Sequence, residues 1–295
     1  MEPRLQRRVQ RYGWDRAAPF YESLWESQLA PAHEAVLAGA SLASGEAVLD
    51  AACGTGALSL RAAQQVAPSG RVVGVDTSAR MVEIARRRAR QSQAGQAGQA
   101  GQAAQASQAS FIRDELENLA LPCRSFDAVL CALGLMYMPD PRQALQVVQR
   151  LLRPGGRASI AVWGRRLHCG WSAVFSIVES EVRSDVCPLF FQLGEDSALA
   201  TLCTEVGFGV TQQRRIATRL VYPDAEQACA AVFLGGPAAL AWARFDEPTR
   251  RRAREKYLEA IEPWRHGRGY AVPGEFVVVT AATPSDLRSD SCLAS

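Results

Sequence analysis

At 295 residues, nearly half of them hydrophobic, the chain has room for one large α/β domain or two small ones and can bury an ordinary core, so it is neither a disordered tail nor a stapled miniprotein. Basic and acidic side chains nearly balance, leaving a net charge of +3 and no electrostatic case for nucleic acid. Lys256, in Arg254-Glu255-Lys256-Tyr257, is the only lysine, which excludes a phosphate-cradling G-x-x-x-x-G-K-[ST] loop.

Residues 1–40 read as two polar and aromatic helices, with Tyr12, Trp14, Phe20, Tyr21 and Trp25 followed by Leu29, Val36 and Leu37 at helical spacing. A short apolar run, Glu46 to Asp50, then leads through Ala51-Ala52-Cys53-Gly54-Thr55-Gly56 into the periodic stretch Ala57 to Val66: a strand, a tight turn and a helix. Arg71 to Asp76 gives a second buried strand ending in an acid, and Thr77 and Ser78 offer caps for a helix through Met81, Ile84 and Ala85. The arginines that close this helix, Arg86, Arg87, Arg88 and Arg90, suit a solvated last turn better than a phosphate patch. Gln91 to Ser110 is a Gln, Ala, Gly and Ser tract with nothing to bury, expected as a flexible insertion.

The alternation resumes with a strand near Phe111 to Arg113, another at Phe126 to Cys131, a helix from Ala144 to Leu152 and a fifth strand from Arg157 to Trp163. Short, continuously apolar strands alternating with helices predict a doubly wound, Rossmann-like parallel sheet covered on both faces. Beyond Gly164 helices are expected near Ser172 to Val182 and Ser197 to Val206, then a strand around Gln212 to Val221, helix over 224–263 and a last strand at Glu275 to Thr280. The chain thus divides into an N-terminal helical lid (1–40), a core sheet (41–223 and 272–284) carrying the low-complexity insertion (91–110), a late helical insertion (224–271) and a disordered tail (285–295).

Eight scattered cysteines contain no C-x-x-C pair, and His33, His168 and His266 lie too far apart for a local ligand pair, so no metal site is expected. With no signal-peptide core and no apolar run long enough to span a bilayer, the expectation is a cytoplasmic protein with free buried thiols and no membrane span, as monomer or homodimer.

Three acids recur at the carboxyl ends of consecutive strands: Asp50, Asp76 and Asp114. In an open parallel sheet, ligands bind outside those ends, where the strand order reverses. Asp76 lies about 20 residues past Gly56, where a carboxylate can accept both hydroxyls of a ribose. The string Asp50-Ala-Ala-Cys-Gly-Thr-Gly56, the strand Val-Val-Gly-Val-Asp76-Thr-Ser, the start Ser125-Phe126-Asp127, the run Leu135-Met136-Tyr137-Met138-Pro139-Asp140 and the turn Leu152-Arg153-Pro154-Gly155-Gly156 together resemble the class I S-adenosylmethionine-dependent methyltransferases, in particular the small-molecule branch that includes the quinone-biosynthesis C-methyltransferases. The resemblance covers about residues 45–165.

It implies S-adenosylmethionine as cofactor and a small-molecule methyl acceptor. Ala52, Gly54 and Gly56 would let the backbone approach the methionine moiety, with Asp50 supporting the loop and the amino group. Asp76 would hold the ribose, Thr77 and Met81 would flank the adenine, and Asp114 and Glu115 would read its amino edge, although the family usually has Gly-Asp-Ala where this chain has Arg113-Asp114-Glu115. Cys131 and Leu133 would line the space between cofactor and acceptor.

A dinucleotide enzyme expects G-x-G-x-x-G, but the third position here is Ser59, and an acid before the loop repels a pyrophosphate while attracting a cationic sulfonium and ammonium. If the acceptor must lose a proton, His168 after the fifth strand and Tyr21 on the N-terminal helix are the candidate bases. Tyr12, Trp14, Phe20, Tyr21, Trp171 and Phe175 are candidates for an aromatic lid, joined by Phe190, Phe191, Phe233 and Trp242, which suits an apolar or aromatic metabolite. Amino methylation of a base or amide is disfavoured, because Cys131-Ala132-Leu133-Gly134 stands where such enzymes resemble one another in [DNS]-P-P-[YF]. Two alternatives stay open: an S-adenosylmethionine-binding protein of pericyclic or accessory function, and a nucleic-acid modifier using the arginines near residues 4–11 and 250–254.

Overall fold

The computed structural model describes residues 3–99, 108–181 and 190–286. Its five parallel strands are β1 (Ala47–Ala51), β2 (Arg71–Asp76), β3 (Gln108–Arg113), β4 (Phe126–Ala132) and β5 (Leu152–Trp163). The later strands β6 (Gly209–Tyr222), β7 (Arg265–His266) and β8 (Gly269–Ala282) are antiparallel additions, giving the order β3-β2-β1-β4-β5-β8-β6 with β7 paired to β8. All five residues of β1 are buried, as expected of a central parallel strand covered on both faces. The order reverses between β1 and β4, so their carboxyl ends define the crevice in which a doubly wound sheet takes its ligand.

The connecting helices are α2 (Ala57–Val66), α3 (Ala79–Gln99), α4 (Pro141–Leu151), α5 (Ala173–Glu181), α6 (Ala198–Val206), α7 (Ala225–Phe233), α8 (Ala239–Trp242) and α9 (Glu247–Ile261). Three start on an aspartate whose carboxylate accepts an amide three residues on: Asp140 from Gln143 at 2.9 Å, Asp224 from Gln227 at 2.7 Å and Asp246 from Thr249 at 2.9 Å.

Where two helices are expected over residues 1–40, the structure has one, α1 (Pro3–Ala40), which runs through Pro19 and Pro31. Each proline removes one N–H from the ladder, a loss that packing of the second half offsets. There Trp25, Leu29, Ala32, Val36, Leu37 and Ala40 are all buried, each large side chain contributing roughly 1.5 to 3 kcal/mol. The indole of Trp25 also donates to the Ala231 carbonyl at 2.9 Å and meets Trp163 and Trp171 edge-on. The second half of α1 is therefore core, and only its first half lies over the crevice.

The Gln/Ala/Gly tract is regular at both ends, since α3 continues to Gln99 and β3 begins at Gln108; the stretch between lies outside the described residues, as does the expected tail from residue 287. The last strand is longer than the apolar run Glu275 to Thr280, because β8 pairs with β6 from Tyr270 to Ala282 and with β5 from Phe276 to Ala282. Among the described residues, no helix is long and apolar enough to cross a membrane, and no group of His, Cys, Asp or Glu could hold a metal ion.

Candidate active site

The crevice is a cleft with about 820 Å³ of empty space, part of it open to solvent, whose floor is the loop after β1, the end of β2 and the loop after β4. The backbone there is unusual. Ala52 (φ 59°) and Leu133 (φ 62°) occupy the left-handed region, which non-glycine residues adopt at a cost and which clusters at ligand sites. Gly134 lets these two loops meet, since a Cβ there would stand 2.3 Å from that of Ala52. Gly56 (φ 82°) turns the chain into α2 beneath Phe111, where a Cβ would be 3.0 Å from the ring.

Asp76 binds this loop from below. Its Oδ2 accepts the Gly54 amide at 2.9 Å and its Oδ1 the Ser78 amide at 2.8 Å, and its carboxylate still lines the cleft with lone pairs to spare. Asp50 is 1% exposed, and its Oδ2 accepts the Ser59 hydroxyl at 2.5 Å. Burial raises both acids. Asp50 is pushed up to about 7, against the pull of Ser59 and helped by the charge of Asp76. Asp76 is pushed up to about 6, against the two amides that hold it. Two carboxylates forced toward neutrality in one crevice make a site that gains by receiving a cation.

The first half of α1 roofs the cleft. Arg7, Gln10, Trp14 and Tyr21 recur at intervals of three, four and seven, which places them on one helical face, and all four line the cleft. Arg7 reaches the opposite rim, with Nε 3.6 Å from Glu115 and 3.7 Å from Glu117. Asp15 ties the roof to α3, its Oδ1 accepting the Ser78 hydroxyl at 2.7 Å and the Arg80 amide at 3.1 Å. Arg88 on α3 grips Glu26 of α1 through two hydrogen bonds of 3.0 Å and donates to the Thr55 hydroxyl in the glycine loop at 3.3 Å. Four carboxylates (Asp76, Asp114, Glu115 and Glu117) and one guanidinium (Arg7) line the cleft, so it is negative overall.

Beyond Leu133 a second, smaller chamber, with about 310 Å³ of empty space that is partly open to solvent, shares Trp14, Tyr21, Leu133 and Tyr137 with the cleft and is otherwise walled by Trp25, Leu29, Trp163, Trp171, Gly236 and Pro237. No charged side chain lines it. Trp14 meets Tyr21 and Tyr137 edge-on with centroids 5.8 and 5.1 Å apart, and Tyr137 meets Phe190 at 5.0 Å. Burial, then the charge of Asp76, pushes the Tyr21 phenol far above its ordinary value.

Of the residues singled out in the sequence, Tyr21, Ala52, Gly54, Asp76, Thr77, Met81, Asp114, Glu115 and Leu133 come together on the cleft. Asp50, Gly56 and Cys131 stand behind it. The Cys131 thiol is buried among the amides of Gly134 and Leu135, where burial pushes it up to about 12, so it braces the loop instead of facing the cleft. The side chain of Glu115 is turned to Arg7 and accepts the Asn118 amide at 3.0 Å. His168 lines neither space: its Nδ1 is 2.9 Å from Oε1 of Glu275 on β8, and that carboxylate also accepts the Arg165 amide at 2.9 Å and the Arg215 guanidinium at 2.8 Å. The short helical turn after β5 thus carries the imidazole toward β8, away from the crevice. Tyr12 and Phe20 lie on the outer face of α1, 50% and 42% exposed, and are not part of the roof's underside.

Sequence reasoning missed Arg7, Gln10, Tyr137 and the Leu116–Glu117 rim. The interval of seven linking Arg7, Trp14 and Tyr21 was the available signal.

A family profile described as a methyltransferase domain matches residues 48–156, the stretch holding β1 to β4 and every floor residue of the cleft. This stretch is a class I methyltransferase domain. The Ubiquinone/menaquinone biosynthesis C-methyltransferase UbiE of Hahella chejuensis is 37% identical over 114 residues, 39% of this chain and 41% of its own length. The demethylmenaquinone methyltransferase of Listeria welshimeri is 30% identical over 132 residues, 45% of this chain and 51% of its own length. The chain therefore spans about half the length, or less, of these curated relatives. Among solved structures, the [4+2]-cyclase SpnF superposes with a TM-score of 0.61 at 19% identity, over 95% of this chain and 97% of that one. A phosphoethanolamine N-methyltransferase of Haemonchus contortus, solved with S-adenosyl-L-methionine, superposes with a TM-score of 0.54 at 16% identity, over 92% of this chain and 57% of that one. The Rossmann-like fold thus extends over nearly the whole chain, while the family match itself covers residues 48–156.

Proposed function

We propose that the methyltransferase domain binds S-adenosylmethionine in the cleft and transfers its methyl group to a small apolar or aromatic acceptor held in the adjoining chamber. One observation carries this reading: the cleft at the switch point is lined by four carboxylates against a single, already paired guanidinium, with Asp50 buried behind it. That sign rejects a pyrophosphate and favours a cationic nucleoside.

The residues present fit the cofactor. Asp76 holds the ribose hydroxyls on its free lone pairs; Thr77, Met81 and Leu116 enclose the adenine; Asp114 and the backbone beside it read the amino edge; the loop from Ala52 to Gly56 receives the methionine moiety, with Asp50 as the buried counter-charge. The bound donor supplies a methyl group on a cationic sulfur, and that charge is lost on transfer. The protein therefore contributes position and dryness. Leu133 and Tyr21 stand between cleft and chamber, the ring faces of Trp14, Tyr21 and Tyr137 shelter the reacting centre from water, and edge-to-face packing fixes those rings. With Tyr21 held neutral and no charged side chain in the chamber, the acceptor arrives already nucleophilic.

Calorimetric titration with S-adenosylmethionine and S-adenosylhomocysteine tests the binding, and release of S-adenosylhomocysteine from a panel of aromatic and quinone-like acceptors tests the transfer. Absence of heat with both nucleosides, or binding of NAD in their place, overturns the reading. Binding without S-adenosylhomocysteine release from any acceptor favours instead a cofactor-binding protein of pericyclic function, a reading for which the uncharged, base-free chamber gives some ground.

A further inference from the structure

We infer that the outer face of α1, residues 4–20, docks on an anionic lipid surface. The helix has two unlike faces. Inward, Arg7, Gln10, Trp14 and Tyr21 roof the cleft; outward, Leu5, Tyr12 and Phe20 are 40%, 50% and 42% exposed and recur about every two turns. They account for three of the five large hydrophobic side chains exposed on the described residues. Arginines interleave with them: Arg4, Arg8 and Arg16 are exposed, and Arg11 stacks over the Tyr12 ring at 5.0 Å. None of these four forms an ion pair with a described acid, and the sequence from Pro3 to Trp14 contains no acidic residue.

A short apolar ridge flanked by unneutralised cations on a helix is the pattern that lies in the headgroup plane, apolar side chains dipping into the acyl boundary and arginines meeting phosphates. The charge selects the occupant: a neutral apolar partner leaves four guanidinium groups uncompensated, and a soluble polyanion leaves the ridge without a use. The opposite face of the same stretch roofs the cleft and, through Trp14 and Tyr21, borders the chamber, so a lipophilic acceptor leaving the bilayer would meet the aromatic walls close to the docked helix. That delivery step rests on the acceptor reading of the chamber; the docking itself does not.

The test is sedimentation of the full chain with phosphatidylcholine vesicles, with and without phosphatidylglycerol, alongside calorimetry with S-adenosylhomocysteine. The expected result is co-sedimentation only with the anionic vesicles. Arg8→Gln with Arg16→Gln should weaken it about fivefold for each arginine removed, and Leu5→Ser with Phe20→Ser should abolish the portion that survives high salt. Both pairs should leave S-adenosylhomocysteine affinity unchanged, because all four side chains face away from the cleft. No sedimentation with anionic vesicles, or sedimentation unaffected by these substitutions, overturns the inference while leaving the cofactor reading intact. Capture by heparin or RNA under conditions where vesicles fail overturns it in favour of a soluble polyanion.

Discussion

Replacing Asp76 by Ala removes the carboxylate proposed to hold the ribose, and the structure sets the scale of the loss. Hydrogen bonds to a charged acceptor contribute about 1.5 to 3 kcal/mol, so cofactor affinity should fall about 10- to 150-fold. A second effect must be separated from this. Asp76 also satisfies the amides of Gly54 and Ser78, so its loss frees the glycine loop and the start of α3 as well as the ribose. Two controls divide the effects. Asp76→Asn keeps the volume and one acceptor for the backbone, and an S-adenosylhomocysteine analogue lacking the ribose hydroxyls removes the same contact from the ligand side. In a double-mutant cycle by calorimetry, the analogue should bind the parent protein much more weakly than the natural ligand, yet lose little further affinity in the Asp76 variants. Equal, additive losses would show that Asp76 acts on the loop alone, and unchanged affinity would remove it from the site.

Asp50 and Asp76 carry raised folded-state values near 7 and 6, so the folded protein binds protons that the unfolded chain releases; unliganded stability should therefore fall as pH rises from about 4 toward 7, and Asp50→Asn should flatten that slope in thermal melts, an expectation refuted by an unchanged slope. By the same linkage, a cationic nucleoside should expel protons on binding near pH 6.5, which calorimetry in buffers of different ionisation enthalpy would register. Tyr21→Phe should leave the pH dependence of turnover unaltered, because burial and Asp76 keep the phenol protonated; loss of a rise in turnover with increasing pH would restore it as a base. His168→Ala should preserve turnover, whereas Glu275→Gln, which disturbs a carboxylate holding Arg165, His168 and Arg215, should lower the melting temperature without changing cofactor affinity. Gly134→Ala should cost about 1 to 3 kcal/mol of stability, since its Cβ would collide with Ala52 across the cleft floor.

What the sequence made legible was local. Asp50, Gly54 and Asp76 could be placed because each sits at a strand's carboxyl end or within three residues of it, and a strand, a glycine turn and a helix leave few ways to arrange that stretch. The three-acid pattern therefore located the cleft before any tertiary contact was known. The roof was harder. Nothing near Arg7 or Gln10 signals a ligand, and their part depends on which face of a 38-residue helix meets the sheet, a choice made by Trp25, Leu29 and Val36 far along the same helix. Tyr12 and Phe20 looked equivalent to Trp14 and Tyr21 in an aromatic-rich segment, yet the helical period sends the first pair to solvent. His168 shows the opposite failure. Its position just after β5 suggested the acceptor side, but a pairing with Glu275, 107 residues later, directs it elsewhere. Such pairings are invisible until β8 is known to lie beside β5.

The division of labour follows from the charges. Burying Asp50 and part-burying Asp76 without a cation beside them costs folding free energy, and an unliganded crevice recovers only part of it from neighbouring amides and Ser59. The same dryness that makes those carboxylates costly strengthens their attraction for a cation, because the effective dielectric falls as water leaves. Much of that dryness comes from α1, whose underside of Trp14 and Tyr21 is held over the site by Asp15 on Ser78 and by Glu26 on Arg88. Ser78 is also one of the two amides that hold Asp76. Roof and counter-charge are thus joined through one residue: a displacement of α1 that admits water to the cleft also loosens the support of the carboxylate that the ligand needs.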